Sequence, residues 1–170
     1  MESKIIIRKG VAGDAEQIIQ HTKTVLQENP FVMGTTIEEF SVSVEEEREW
    51  INIHYEKGLL LVAEAEGQII GLLNFKRSSH KKFSQNGTFS MSIQEKYTNN
   101  GIGSLLMNEL LKWAKKDHKV EKIYLEVFAN NDRAIHLYQK LGFLEEGRKK
   151  NHVKQGTAEY VDEIIMSQFV

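Results

Sequence analysis

Two glycines in the middle of the chain are the clearest candidate for a ligand-binding loop. Gly101-Ile102-Gly103 follows a short strand-like segment and opens a long stretch whose apolar residues recur at helical spacing. Glycines there leave backbone N–H groups uncovered, and the start of a helix carries roughly half a positive charge. This combination suits a phosphate group. A closely packed turn without a ligand would have the same sequence, so the glycines alone leave both interpretations open.

The glycine pattern differs from two common nucleotide-binding loops. A Walker A loop needs Lys-Ser or Lys-Thr after its second glycine, and the dinucleotide fingerprint needs a third glycine where this chain has Leu106. A nucleotide-binding α/β protein is therefore disfavoured, and tight binding of ATP or NAD would be needed to revive it.

Glu126 and Tyr138 are the two side chains that best fit acid–base chemistry. Glu126 alternates with Leu125 and Val127 on a predicted strand, and open α/β sheets bind ligands at the carboxyl ends of strands. Tyr138 lies on the apolar face of the next predicted helix, and a phenol with a pKa of about 10 can donate a proton. A surface or ion-paired acid and a packing tyrosine would explain the two residues equally well.

Other chemistries find little support. The chain has no cysteine, which excludes thiol catalysis, thiolate-bound metals and disulfides. The six histidines are scattered without metal-ligand spacing, and no serine occupies a G-x-S-x-G elbow. The sequence therefore predicts neither a bound metal nor a serine hydrolase.

The composition is that of an ordinary globular domain. The chain has 170 residues, of which 41% are hydrophobic and 27% charged, and its formal net charge is −2 at pH 7. We expect a single domain over 1–170, with neither nucleic acid nor an anionic membrane as a partner. The N-terminal apolar run is too short for a signal peptide, and no apolar span reaches about 18 residues. A cytoplasmic protein is expected.

The elements that must position these residues are predicted in the order β-α-α-β-β-β-α-β-α-β-β. Ser43 and Glu46 have the spacing of a capping box, and Glu66-Gly67 is typical of a hairpin turn. The predicted strands are 5–8, 59–65, 68–76, 87–93, 122–128, 143–148 and 157–169, and helices begin near Asp14, Ser43, Ile102 and Asn131. The third helix should bury Ile102, Leu105, Leu106, Leu110, Trp113 and Ala114.

Residues from about 87 to 166 resemble the GNAT superfamily of acetyl-CoA-dependent N-acetyltransferases, and the order of the earlier elements fits as well. Asn131 to Phe143 is similar to the family's N-x-x-A-x-x-x-Y-x-x-x-G-F segment. The glycine loop is similar to the pyrophosphate loop Q/R-x-x-G-x-G/A, with Thr98 in the first position. The residues 160–166 are similar to the close of the ribosomal-protein and small-amine branches.

Thr98 departs from the family pattern, because it removes a side chain that normally helps to fix the loop. The resemblance then implies that phosphate binding depends more on backbone amides and on Asn99, Asn100 and Ser104.

The resemblance implies an α/β (mixed α+β) fold. It would be a single domain with a central twisted mixed sheet of about seven strands, splayed between the fourth and fifth strands and flanked by about four helices. Pantetheine would lie in the splay and pair with the backbone of residues 91–93. Acetyl-CoA is the implied cosubstrate, without a metal, and the implied binding residues are Met91, Ser92, Ile93, Thr98, Asn99, Asn100, Gly101, Ile102, Gly103, Ser104, Asn131, Ala134 and Tyr138.

The resemblance also implies acetyl transfer to a primary amine, on a small molecule or a protein N-terminus, by direct attack in a ternary complex. Tyr138 would protonate the departing thiolate. Glu126 would take a proton from the amine, since a similar glutamate stands at the same spacing in ribosomal-protein alanine acetyltransferases. The backbone N–H at or next to Ile93 would bind the oxyanion. Glu95, or an acid within 31–42, would be the next candidate base.

The acceptor is not determined by these residues. Ribosomal-protein N-termini, polyamines, amino acids and aminated drugs all fit, and residues 28–50 with the final hairpin should form the wall of the site. Glu38 and Glu39 either attract a cation there or only keep the loop soluble. The alternative function is a non-catalytic acetyl-CoA sensor or interaction module, which Thr98 favours and which would release no thiol. Both a monomer and a homodimer stay open.

Overall fold

The computed structural model describes residues 4–117 and 119–170, and its elements follow the predicted order. The 3-10 turns Ala12–Asp14, Lys81–Phe83 and Glu95–Tyr97 lie in the connections. The strands and α-helices are β1 (Ile5–Lys9), α1 (Ala15–Glu28), α2 (Val44–Lys57), β2 (Gly58–Ala65), β3 (Gln68–Arg77), β4 (Asn86–Ile93), α3 (Ile102–Lys116), β5 (Lys122–Phe128), α4 (Asp132–Lys140), β6 (Leu144–Gly156) and β7 (Glu159–Phe169).

The strands form one mixed seven-stranded sheet in the order β1-β2-β3-β4-β5-β7-β6. Neighbouring strands are antiparallel except for β4 and β5, which run parallel. That parallel pair extends only from Asn86 to Thr88 on β4 and from Lys122 to Tyr124 on β5. Beyond these residues the two strands separate, which confirms the predicted splay between the fourth and fifth strands.

Helices cover the sheet on both faces, because apolar side chains point alternately to the two sides of its inner strands. On one face Leu106 of α3 and Tyr138 of α4 pack with Phe89 of β4. On the other face Ile18 of α1 and Ile51 of α2 pack against β2 and β3. Burial of each large apolar side chain stabilises the fold by about 1.5–3 kcal/mol. The strand β4 therefore lies in the middle of the domain, with the splay along one of its edges.

Local sequence signals account for the ends of several elements. The Ser43 Oγ accepts a hydrogen bond from the Glu46 N–H (3.2 Å), and the Glu46 carboxylate accepts one from the Ser43 N–H (2.8 Å), as the capping box predicts. Glu66 and Gly67 both have positive φ, at 52° and 76°, which is the backbone of a type I′ hairpin turn. These two predictions are confirmed.

Two predictions about the elements are wrong in part. The strand β6 continues to Gly156, beyond the predicted end at Arg148, because a largely exposed strand paired with β7 needs no apolar alternation. In α3 the side chain of Leu105 is 45% exposed, whereas Met107 is buried. The buried stripe of α3 passes through Gly103 and Met107 instead.

Candidate functional site

The separation of β4 from β5 opens a cleft of about 520 Å³, referred to below as the splay cleft. Its lining comes from the end of β4, the loop into α3, the length of α4, the end of α1 and the connection that follows α1. Twelve of the thirteen residues predicted to bind the cosubstrate line it: Met91, Ser92, Ile93, Thr98, Asn99, Gly101, Ile102, Gly103, Ser104, Asn131, Ala134 and Tyr138. Asn100 is the exception.

Backbone groups of β4 face the splay cleft at every second residue. The carbonyl of Asn86 and the N–H of Gln94 both bond toward β3, at 3.0 Å from their partners. The N–H and C=O of one strand residue point to the same side, and successive residues alternate, so those of Met91 and Ile93 point the other way, into the gap beyond the last β4–β5 pair at Thr88 and Tyr124. A peptide-like chain in the splay cleft would find a row of backbone donors and acceptors there.

The glycine loop ends in an uncapped helix start. Gly101, the N-cap residue of α3, has φ 77°, and no side chain caps the helix. The N–H of Leu105 bonds to the carbonyl of Gly101 (3.0 Å), so the N–H groups of Ile102, Gly103 and Ser104 precede the first helical hydrogen bond. At Gly103 a Cβ atom would lie 2.8 Å from Leu137 of α4. The loop therefore combines free donors with a close approach of two helices.

The polar residues before the glycines mostly hold the loop itself. The Thr98 Oγ1 donates to the carbonyl of Glu95 (2.8 Å), and the Asn100 amide donates to the carbonyls of Tyr97 (3.3 Å) and Thr98 (3.2 Å). Asn99 takes the left-handed conformation, with φ 61°. The Asn100 amide is thus turned back onto the loop, and its predicted contact with the cosubstrate stays a prediction.

Tyr138 lies at the inner wall of the splay cleft. Its side chain is buried, and its ring packs edge-on against Phe89 at 5.6 Å and tilted against Phe143 at 6.0 Å. Within residues 4–117 and 119–170, the Tyr138 hydroxyl has no hydrogen-bond partner. Burial raises the pKa of the phenol well above its usual 10.0, because the phenolate would be poorly solvated. Tyr138 therefore holds its proton over the whole physiological pH range.

A second cleft, of about 540 Å³, lies against the α1 and α2 side of β4 and is referred to below as the α2 cleft. It is formed by the start of α2, by residues 31–42 of the segment between α1 and α2 (the 31–42 connection), and by the strands β3 and β4. Met91 and Ser92 line both clefts, as do Val25 of α1 and Met33 of the connection. The two clefts therefore meet at the end of β4.

Comparison with known proteins assigns this architecture to a family. The model of the acetyltransferase (GNAT) family matches residues 29–143, which is most of the chain. The chain belongs to the GNAT family. An L-amino acid N-acetyltransferase of Escherichia coli is 32% identical over 64% of this chain and 66% of its own length. An N-alpha-acetyltransferase of Sulfurisphaera tokodaii is 28% identical over 91% of this chain and 89% of its own length.

A solved GNAT acetyltransferase from Streptococcus pneumoniae superimposes with a TM-score of 0.92 at 26% identity, covering 98% of this chain and 99% of that one. The chain is thus an acetyl-CoA-dependent N-acetyltransferase. The splay cleft fits the cosubstrate, since it offers uncapped helix N–H groups for phosphates and a strand edge for amides. Within residues 4–117 and 119–170 no group of acidic, histidine or cysteine side chains could hold a metal, and no helix could span a membrane.

The predicted general base of this GNAT enzyme, Glu126, lies away from both clefts. Leu125 and Val127 are buried, so Glu126 points to the opposite face of β5. There its carboxylate accepts a hydrogen bond from Lys149 Nζ at 2.7 Å, and the same ammonium lies 2.9 Å from Glu163. An ion-paired acid was one of the two interpretations of Glu126 from the sequence, but its partner was not predicted, because Lys149 lies on the part of β6 between the two predicted strands 143–148 and 157–169.

The other acids named from the sequence are also engaged. Glu95 lines the splay cleft but forms a two-pronged ion pair with Arg133 at 3.0 and 3.3 Å. That pair lowers the pKa of the Glu95 carboxyl. Glu39 accepts a hydrogen bond from the Thr36 N–H (3.0 Å) on the surface, and neither it nor Glu38 is among the described residues that line the two clefts.

Two residues beside β4 were missed from the sequence. His21 of α1 is 1% exposed, its Nε2 lies 2.9 Å from Ser92 Oγ, and burial lowers its pKa to about 4. Glu47 of α2 is 7% exposed and lines the α2 cleft. For His21 a signal existed, because it lies three residues after Ile18 and four before Val25 on the apolar face of α1. Glu47 had none, since it ends a run of three glutamates that is typical of a solvated helix start.

Proposed function

We propose that this GNAT enzyme transfers the acetyl group of acetyl-CoA directly to a primary amine in a ternary complex. The observation that carries the proposal is the meeting of the two clefts at Met91 and Ser92. A cosubstrate in the splay cleft and an amine in the α2 cleft would contact each other there. A cysteine-linked acetyl-enzyme is excluded because the chain has no cysteine. We further propose that residues 1–170 act as one domain.

The residues of the splay cleft have distinct roles in this proposal. The N–H groups of Ile102, Gly103 and Ser104 bind the phosphates, and each charge-assisted bond contributes about 1.5–3 kcal/mol before other costs are counted. The edge of β4 pairs with the amides of pantetheine. The Ile93 N–H, which faces the gap, binds the oxyanion that develops on the acetyl carbonyl. Acetyl-CoA itself supplies an activated acetyl thioester.

Tyr138 holds the proton that the departing sulfur needs. A thiol has a pKa of about 8.5, below that of an ordinary phenol, and burial widens the difference for Tyr138. Proton transfer from the phenol to the thiolate is therefore unfavourable by itself, and Tyr138 stabilises the departing sulfur first as a hydrogen-bond donor. The proton passes to the sulfur when the phenolate oxygen receives, directly or through water, the proton that the amine nitrogen loses.

The attacking amine must lose its own proton, since an alkylammonium has a pKa of about 10.4. Glu126 stays a candidate base, although its carboxylate is bound by Lys149 and a chain of water would have to connect it to the amine. If Glu126→Gln leaves the pH–rate profile of acetylation unchanged, Glu126 is not the base.

The test of the proposed function is an acceptor panel with two readouts. Purified protein is incubated with acetyl-CoA and amines of several classes, and both the release of free thiol and the acetylated product are measured, the latter by mass spectrometry. We expect equal amounts of thiol and acetylated amine. Binding of acetyl-CoA without either product would instead support the non-catalytic sensor. Amino acids and the N-termini of proteins both belong in the panel, because one relative is named an L-amino acid N-acetyltransferase and another an N-alpha-acetyltransferase.

A further inference from the structure

Glu47 is a buried carboxylate that the fold leaves without a partner. Its side chain is 7% exposed at the wall of the α2 cleft. Within residues 4–117 and 119–170, no side chain or backbone group gives its carboxylate a hydrogen bond or an ion pair. The carboxylate is nevertheless open to the cleft. Among those residues, the only side-chain N or O atom that is both fully enclosed and without a hydrogen bond is Oε1 of Gln168, so the Glu47 oxygens are not fully enclosed. Buried charges in proteins are normally paired, so an unpaired one at an open cleft indicates a missing cation.

The charges around Glu47 leave that position open to a positive group. The other acid in the lining, Glu46, is occupied because its carboxylate caps α2 at Ser43 (2.8 Å). No lysine, arginine or histidine of the described residues lines the α2 cleft. From α1, His21 contacts Ser92 behind the lining, and its pKa of about 4 keeps it uncharged at neutral pH. The lining is thus acidic and offers nothing that would neutralise a carboxylate on a ligand.

The rest of the lining is suited to an apolar stem. Phe40, Trp50 and Leu72 contribute apolar surface, and Trp50 lies three residues after Glu47 on the same side of α2. Among the polar lining residues, the Ser90 hydroxyl already donates to the Asn74 side-chain oxygen at 2.6 Å. The cleft therefore combines one free carboxylate with aromatic and aliphatic walls, next to the strand shared with the splay cleft.

We propose that Glu47 binds the ammonium group of the acceptor, and that the acceptor is a cationic primary amine with an apolar stem and no carboxylate beside the amine. This inference rests on the proposed function, since it names the acceptor class of the same active site. A carboxylate next to the amine would be repelled by Glu47 and Glu46 and would find no cation in the lining. Glu47 is then an acceptor-binding residue, distinct from the groups that hold acetyl-CoA.

The test uses amines that differ only by a carboxylate. Phenethylamine is compared with phenylalanine, and cadaverine with lysine, in the wild type, in Glu47→Gln and in Glu49→Gln. Glu49 is a matched control, because it is an exposed glutamate on the same helix and is not part of the lining. Binding of each amine to the CoA-loaded protein is measured by calorimetry, and acetylation is measured separately by thiol release.

We expect the wild type to bind each amine about 10-fold or more tightly than its carboxylated counterpart. In Glu47→Gln the amine should bind about 10-fold or more weakly and the preference over the carboxylated compound should shrink, while the affinity for acetyl-CoA is unchanged. Glu49→Gln should behave as the wild type. Melting curves of each variant show whether it is folded.

Three results would overturn the inference: equal amine affinity in Glu47→Gln and wild type, equal binding of the carboxylated compounds by the wild type, or no binding of either amine by the wild type. These failures are separable from failure of the proposed function. Amine binding that depends on Glu47 without any thiol release would support the acceptor site and contradict catalysis. Acetylation that is equally fast in Glu47→Gln and in the wild type would support catalysis and contradict the acceptor site.

Discussion

At the scale of single residues, Tyr138 has the most specific expected role. Replacing it by phenylalanine keeps the ring against Phe89 and removes a hydroxyl that no described residue binds, so folding should be preserved. We expect Tyr138→Phe to reduce turnover by roughly 10²-fold with little change in the affinity for acetyl-CoA. Single-turnover kinetics measure the chemical step directly.

The matched control for that experiment is Tyr55→Phe, since Tyr55 is 62% exposed on α2. It loses the same atom from a tyrosine outside both clefts. Full activity of Tyr138→Phe under conditions where chemistry limits the rate would show that water protonates the thiolate. Tyr138 would then be a packing residue, as its apolar surroundings alone would suggest.

A second prediction concerns the pH dependence of stability at Glu47. Burial raises the pKa of this carboxyl above its ordinary 4.5, so the folded protein holds the proton more tightly than the unfolded chain does. As pH rises from about 4.5, the pKa in the unfolded chain, through the raised pKa in the folded protein, the folded state loses stability because it must ionise a buried carboxyl. Above the raised pKa this loss is complete. Glu47→Gln should melt higher than wild type at pH 7 and equally at pH 4.

The expected gain is about 2–4 °C in Tm for each kcal/mol of penalty removed. Comparing variant and wild type at the same pH cancels the contribution of His21, whose lowered pKa weakens the fold as pH falls below its ordinary 6.5. A lower melting temperature of Glu47→Gln at pH 7 would mean that the carboxylate has a stabilising partner. A higher Tm of Glu47→Gln at pH 7 would instead be typical of a residue that is kept for binding at a cost in stability.

Residue roles were harder to predict from the sequence than residue positions. Tyr138 could be located because its motif is local, with Asn131, Ala134 and Tyr138 on one short helix. The partner of Glu126 is Lys149, 23 residues further along the chain, and such a pairing depends on register in the sheet. Glu47 could not be separated from its neighbours Glu45 and Glu46, because helix rotation alone decides which of them turns inward.

At the scale of elements, the start of α3 carries the prediction for cosubstrate binding. Valine at Gly101 would be strained at φ 77°, and at Gly103 its Cβ would lie 2.8 Å from Leu137. The double variant Gly101→Val/Gly103→Val should therefore displace the free N–H groups from the cleft. We expect calorimetry to show acetyl-CoA binding weakened by about 10-fold or more, the loss of at least one charge-assisted bond.

Gly13→Val is the control for this experiment, because a Cβ there meets no atom within 4 Å. It makes the same chemical change in a turn outside both clefts. If the double variant binds acetyl-CoA as tightly as Gly13→Val does, the glycines serve packing only.

The elements themselves followed from the sequence where periodicity and turn residues agree. The capping box at Ser43 predicts the start of α2, and Glu66-Gly67 predicts the turn between β2 and β3; the structure confirms both. The far half of β6 had no such signal, since a strand with water on both faces needs neither alternation nor apolar residues. The splay was expected from family resemblance alone, because a short parallel pairing between distant strands leaves no mark on local sequence.

At the scale of the whole molecule, the 31–42 connection joins the two halves of the sheet. The carbonyl of Phe31 accepts hydrogen bonds from the side-chain amides of Asn130, before α4, and Gln155, on β6, at 3.0 and 2.8 Å. The connection that lines the α2 cleft is thus held by residues 99 and 124 positions further along the chain. Each bond is worth about 1 kcal/mol net.

Removing both amides should loosen this connection without unfolding the domain. In Asn130→Ala/Gln155→Ala we expect backbone hydrogen exchange at 31–36 to accelerate roughly 10-fold or more. Gln17→Ala is the control, because its amide bridges the β2–β3 hairpin at Gly67 and Ile69 instead. It should accelerate exchange near 67–69 and leave 31–36 unchanged. Unaltered exchange at 31–36 in the double variant would mean that packing of the connection, and not this pair of bonds, holds it.

The shared lining of the two clefts has a consequence for inhibition. Because Met91 and Ser92 border both spaces, one molecule could fill them together if its CoA and amine portions were joined across the end of β4. Once one portion was bound, a short tether would present the other at an effective concentration in the millimolar range, without a new contact to the protein. Such a linked compound should outcompete an equimolar mixture of its two separate parts, because it orders both substrates in a single association event.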